Sequence, residues 1–479
     1  MMSEQRRLHP AAIIFNFIKA IREALFVIII SFISFKDDYL FYYLLVVAGL
    51  VLIILTISVL SWYRYTYRLV DDELQIEYGI IVRKKRYISK NRIQSIDLTA
   101  SVIHRIFKLV KVQIETAGSG MSAEATLKAV TVGQGEQLRR ELKVVQQGEG
   151  GEDFTRNQEE LDSPSKQISW NRLFVAGSTS GSIGVILALL AFGLSEIEQF
   201  LPDQFFNQTF EWVIGLGISI VIVLAIIVLF VLYLLGIAGT MIKYGNFTIQ
   251  KNKEELFITR GLLEKKQLTI PLKRIQAIGV QESIIRQPLG YVTVFAEVAG
   301  GSLDKGEDFS TVLFPIMKRE EVDAFLQEFI PTYVSERTKL HPLPKRALKF
   351  YLFRSVIPFF IVAALVLYFY PQFIWGPVIL LLASLYLGLL RHRAGGFRTE
   401  EKLLTIRYRV LSKNTMIIVH KRIQSYEKKQ HKLQKSQQLA TLNLSIIGKL
   451  GVGKHYKLKD LAVNDVDLLA DWYSYRKKG

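Results

Sequence analysis

The chain reads as an integral membrane protein with six spanning helices in three hairpins, each hairpin followed by a β-rich domain that ends in a helix. Three observations predict this class. Apolar stretches of about 20 residues, the length a bilayer core requires, come in pairs. One short motif recurs three times, once behind each pair. Between the pairs the apolar residues alternate with period two rather than 3.6.

The first pair is Ile18–Phe35 and Tyr39–Trp62, the second Leu173–Leu194 and Phe210–Gly236, the third Phe353–Tyr370 and Phe373–Leu390. Arg22 and Glu23 lie about one turn inside the first segment, so a span there needs them to snorkel. A re-entrant segment is the competing reading. The hairpin loops carry little positive charge: Lys36-Asp37-Asp38, then 195–209 with Glu196, Glu198 and Asp203, then Pro371-Gln372. The other flanks are basic, from Arg6, Arg7, Lys19 and Arg22 to Arg391 and Arg393. The positive-inside rule therefore places both termini and all three soluble domains in the cytoplasm. No signal-peptide cleavage site follows Lys19 and Arg22.

The repeat is Arg92-Ile-Gln-Ser-Ile96, Arg274-Ile-Gln-Ala-Ile278 and Arg422-Ile-Gln-Ser-Tyr426, at spacings of 182 and 148 residues. Gly79 and Gly261 each precede the motif arginine by 13 residues and read as turn residues; Arg409 stands at the third such position. Leu8-His9-Pro10 before the first hairpin matches Leu340-His341-Pro342 before the third, with no counterpart before the second. Strands alternate at Val112, Ile114 and Thr116, at Val292, Val294, Ala296 and Val298, and at Leu442, Leu444 and Ile446. Helical stretches close the domains at Glu136–Lys143, Lys318–Ile330 and Asn464–Tyr475, the last with Asn464 as N-cap. Strands closed by one helix suggest a small barrel or sandwich. The expected order is hairpin 1–63, domain 64–143, flexible linker 144–169, hairpin 170–238, domain 239–332, hairpin with juxtamembrane segment 333–391 and domain 392–477. The linker rests on its Gly, Gln, Glu and Ser content.

A membrane hairpin, a turn glycine, a basic Arg-Ile-Gln-(Ser/Ala)-apolar segment and a later Ala117-Gly-Ser or Ala299-Gly-Gly together resemble the bacterial PH-like domain membrane proteins, in their three-repeat type. The resemblance covers nearly the whole chain outside the linker. It implies three PH-like domains, each a bent antiparallel sheet with a C-terminal helix, and no catalysis. It also implies a loose association with envelope stress and antimicrobial-peptide tolerance, and a smaller single-domain relative as protein partner. The third copy lacks both the glycine and the Ala-Gly-Gly.

Composition narrows the chemistry. The absence of cysteine excludes disulfides, thiolate metal sites and a cysteine nucleophile. The seven histidines form no compact ligand spacing, no G-x-S-x-G elbow occurs, and no metal or cofactor is expected. Gly448-Lys-Leu-Gly-Val-Gly-Lys454 matches a phosphate-loop string, but His455 replaces the Ser or Thr and the segment reads as a glycine-rich strand connection. The span centres lack the charges of a proton or ion path. Gly177-Ser-Thr-Ser-Gly181 permits close helix packing.

The net charge of +18 points to anionic surfaces. Candidate binding residues are the shared Arg92, Arg274 and Arg422 and the basic clusters Arg83, Lys84, Lys85, Arg86 and Lys265, Lys266, with a third cluster at Lys428, Lys429, Lys432 and Lys435. The bland reading is strand-end arginines paired with their own domain's acids, plus the topological charge bias. No aromatic–basic platform for nucleic acid recurs. Three readings stay open: a non-enzymatic scaffold for protein partners, a module that binds anionic membrane lipids, and a transporter of an apolar or lipid substrate.

Overall fold

The computed structural model describes residues 4–33, 40–116, 124–143, 164–180, 217–300, 310–335, 339–448 and 453–474. In the first unit, strand β1 (Arg6–Arg7) precedes helices α1 (Ala12–Ile33) and α2 (Leu40–Arg64). Then follow β2 (Thr66–Val70), β3 (Glu73–Tyr78), β4 (Lys84–Ser89), β5 (Ile93–Ala100), the short α3 (Val102–Ile106), β6 (Leu109–Thr116), β7 (Ala125–Thr131) and α4 (Val132–Lys143).

The second unit repeats this plan. It contains β8 (Ser165–Gln167), α5 (Trp170–Ser178), α6 (Gly217–Tyr244), β9 (Thr248–Asn252), β10 (Glu255–Arg260), β11 (Lys265–Pro271), β12 (Ile275–Glu282), β13 (Tyr291–Val298), β14 (Thr311–Lys318) and α7 (Val322–Phe329). The third contains β15 (His341–Pro342), α8 (Leu348–Phe369), α9 (Trp375–Ala394), β16 (Gly396–Thr399), β17 (Leu403–Arg409), β18 (Lys413–Val419), β19 (Ile423–Lys429), α10 (Lys432–Ser436), β20 (Leu439–Ile447), β21 (Gly453–Ala462) and α11 (Val463–Ser474).

In each domain four strands form a first sheet. One 3-10 turn, ending on the motif arginine, carries the chain into a second, three-stranded sheet. Alternate residues fill the core between the sheets: Leu74, Ile76 and Ile88 meet Ile96, Val112, Ile114 and Leu127 in the first domain. The C-terminal helix closes it with Leu138 and Leu142 there, and with Val466 and Leu469 in the third. Gly79 and Gly261 do adopt positive φ, +110° and +103°. Arg409 instead ends β17 in extended pairing with Lys413.

The domains are not separate beads. The second sheet of one domain is continuous with the first sheet of the next, so the topology contains two seven-stranded sheets, β7-β6-β5-β11-β10-β9-β8 and β14-β13-β12-β18-β17-β16-β15. Both seams are antiparallel. At the first, Lys265, Lys266 and Gln267 oppose Ala100, Thr99 and Leu98. At the second, Lys413, Asn414 and Thr415 oppose Glu282, Gln281 and Val280. Counted from the motif arginines these are the same positions, so the register is identical.

Several expectations are corrected. Four helices, not six, are long and apolar enough to span among the described residues: Leu40–Arg64, Ile226–Tyr244, Lys345–Phe369 and Trp375–Ala394. The first apolar segment is helical, but Lys19, Arg22 and Glu23 interrupt its apolar run. Most of the expected Leu173–Leu194 span lies outside the described residues. The expected linker, 144–169, ends early: Ser165–Gln167 pair with Thr248–Gln250 and belong to the second domain. Helix α11 starts at Val463, so Asn464 lies inside it rather than capping it.

The Leu-His-Pro match is also out of structural register. Arg6 pairs with Tyr67 and His341 with Phe397, which aligns Leu8 with Leu343 rather than Leu340. The second domain has the counterpart too, Ile168. All three side chains are buried at the hairpin bases, because each anchors the entering helix to its domain.

Candidate functional site

The three motif arginines occupy equivalent turns but different surroundings. Arg274 is buried, at 8% exposure. Its Nε donates to the Ala299 carbonyl at 2.9 Å within its own domain. Its Nη1 reaches the preceding domain, 3.5 Å from Ser95 Oγ and 3.7 Å from Glu115 Oε2. Ser95 Oγ donates to Glu115 at 2.6 Å. Burial lowers the guanidinium pKa from its ordinary value, and Glu115 opposes that shift. Arg422 also reaches back, donating from Nη2 to the Lys273 carbonyl at 2.5 Å. Arg92 lies in the first of the three domains, where no described strand pairs with the outer edge of β4. It is exposed, and among the described residues no hydrogen bond or ion pair engages it.

In the second and third domains the motif arginine is thus an interdomain clamp, not a strand-end residue paired with its own domain's acids. The carboxylate that Arg274 meets, Glu115, was not singled out in the sequence. Glu115, Glu297 and Ser445 occupy one repeat position, opposite Ser95, Ala277 and Ser425. Glu297 is met by Tyr456 Oη at 3.1 Å, Ser310 Oγ at 2.8 Å and Lys454 Nζ at 3.7 Å. Lys454 therefore serves the second seam. It stands in strand β21, where a phosphate loop would place a helix.

The basic clusters also diverge. Lys265 and Lys266 sit at the first seam, and Lys266 lies 3.9 Å from Glu264. Lys428 and Lys429 pair with Asp467 at 2.6 Å and Glu427 at 3.1 Å. At the first domain's edge, Lys85 pairs with Glu77 at 3.2 Å and Arg86 with Glu124, while Lys84 is exposed. Arg83 lines a cavity of about 430 Å³ with Gln5, Arg7, Tyr63, Arg64 and Thr66. The Arg7 guanidinium stacks over the Tyr63 ring at 4.4 Å. No carboxylate pairs with Arg7, Arg64 or Arg83 among the described residues. This basic hollow lies at the end of α2.

An apolar feature accompanies it. The turn after each third strand presents exposed apolar side chains: Ile81 and Val82, Leu263, and Val410 and Leu411. Ile81 is 96% exposed. The turns are tied to the ends of the apolar helices. Leu262 N donates to the Ile242 carbonyl at 2.9 Å, and Arg391 Nε donates to the Val410 carbonyl at 2.9 Å. The signal for these tips lay in the apolar residues after Gly79 and Gly261. Gly177 packs close to α6, where an added Cβ would lie 3.1 Å from Ile237 Cα, so this glycine serves packing inside its own hairpin.

Among the described residues, no cluster of metal-ligating side chains occurs. Paired sheets, a closing helix, and apolar hairpins repeated three times define a membrane-associated PH-type repeat protein. The chain belongs to the bacterial PH domain family, which matches residues 17–145, 190–330 and 352–477. It is 38% identical, across the whole chain and 99% of the relative's length, to the UPF0699 transmembrane protein YdbT of Bacillus subtilis (strain 168).

Proposed function

We propose that this protein is a non-enzymatic membrane scaffold whose three PH-like domains form one platform for protein partners. The observation that carries the reading is the pair of shared sheets. They fix the domains in one register, which suits multivalent assembly rather than independent ligand capture. In this reading the apolar helices anchor the chain in the membrane and the domains lie in the cytoplasm. A role in envelope stress or antimicrobial-peptide tolerance fits such a platform. Gentle solubilisation of the full chain from its native membrane tests the reading. A stoichiometric protein partner is expected. Repeated recovery of the chain alone would overturn it.

A second reading is favoured by the hollow of Arg7, Arg64 and Arg83 beside exposed Ile81 and Val82. Cations next to apolar tips at a helix end suit anionic lipid headgroups at an interface. The chain would then hold such a lipid at the base of its first hairpin.

A further inference from the structure

The two seams share one register, and among the described residues the first and third domains carry the unmatched halves of a third. Strand β4 is the repeat equivalent of β11 and β18, each of which pairs with the preceding domain. Among the described residues no strand pairs with the outer edge of β4, which ends its sheet. Arg92, the equivalent of the clamp residue Arg274, stands beside it without a partner among the described residues. We infer that the β4 edge and Arg92 form a docking site for the second sheet of a PH-like repeat carried on a different protein. This inference rests on the scaffold reading and specifies its partner class. Edge strands attract pairing by their unpaired backbone groups, and here the geometry is built twice within the same chain.

The chemistry of the strands decides against a second copy as occupant. Among the described residues the one such edge this chain could offer is β19, at the end of its sheet. In the register of the two existing seams, Lys429 would oppose Lys84 and Lys428 would oppose Lys85. Directly opposed like charges destabilise a strand pair. The existing seams avoid this, setting Lys266 against Thr99 and joining Lys413 to Glu282 at 2.6 Å. A second copy would also bring Ser445 where Arg92 needs a carboxylate. The fitting partner has neutral or acidic residues along its edge strand and a Glu or Asp at the position of Glu115.

The test is site-directed photocrosslinking of the full chain in its native membrane. Benzoylphenylalanine replaces Lys85, with Arg68 on β2 as the control position. The expected product joins position 85 to a different protein containing a PH-like repeat, and Arg92→Ala lowers its yield about tenfold. A second arm uses a co-expressed, tagged copy of the chain. The unaltered copy should give no product. A copy carrying Lys428→Leu, Lys429→Thr, Gln430→Ala and Ser445→Glu, which restores the residues of the first seam, should crosslink.

A product with the unaltered copy, or with a protein of another fold, overturns the inference. So does no product at position 85 together with a silent restored copy. The scaffold reading survives any of these if a stoichiometric partner still co-purifies.

Discussion

Arg274 Nη1 lies 3.7 Å from Glu115 Oε2, across the boundary between the second domain and the first. Both side chains are buried, so the pair joins two domains inside a low-dielectric seam. The same arginine in the first domain faces solvent.

That contrast gives the first prediction. Arg274→Ala removes the cation from a buried carboxylate and should destabilise the chain by about 3 kcal/mol. Arg92→Ala, at an exposed site, should change stability by less than about 0.5 kcal/mol. Thermal unfolding of the full chain in detergent compares the two.

The turn glycines give the second. A Cβ on Gly261 would lie 2.0 Å from the Glu264 carbonyl oxygen at φ +103°, and Gly79 meets Val82 in the same way. Alanine at either should cost about 2 kcal/mol. Arg409→Gly should give no compensating gain, because that residue is extended, buried and hydrogen-bonded to Gln287. Proteolytic susceptibility of the three variants checks the order.

The third concerns pH. The His104 ring stacks on Phe15 with centroids 3.9 Å apart, contacts the Lys128 carbonyl at 2.8 Å through Nε2 and Ser101 Oγ at 2.7 Å through Nδ1. Burial lowers its pKa from the ordinary 6.5, and the Lys128 hydrogen bond opposes the shift. The unfolded chain then binds this proton at higher pH than the folded one. The contribution is intact above pH 6.5 and is lost as pH falls below it, until the folded imidazole also protonates. Melting curves from about pH 7.5 to 5 should fall more steeply for the parent than for His104→Gln.

The fourth addresses the arginine hollow. After purification in mild detergent, native mass spectrometry should find an anionic phospholipid retained on the parent chain. Combined Arg7→Ala, Arg64→Ala and Arg83→Ala should reduce that retention by roughly 100-fold, at about 1 kcal/mol per charge. Equal retention by both would dismiss the lipid reading.

Much of the fold was legible because it is local. Period-two alternation located β6, β13 and β20, and the positive φ of Gly79 and Gly261 followed from their place between strands. The seams were not legible. Strand pairing between β5 and β11 depends on residues about 167 apart, and Ala100, Thr99 and Leu98 carry nothing that marks a partner. The short strand Ser165–Gln167 was hidden for a related reason: three polar residues show no period, and only pairing with β9 orders them. Of the site, the repeated arginines were visible, whereas the clamp role required Glu115 from a neighbouring domain.

The identical register of the two seams makes the repeats interchangeable parts. If the middle repeat were excised, β5 would meet β18, with Leu98, Thr99 and Ala100 facing Thr415, Asn414 and Lys413 and no like charges opposed. Adding a repeat would extend the ladder by the same step. The length of such a ladder is therefore set by counting repeats.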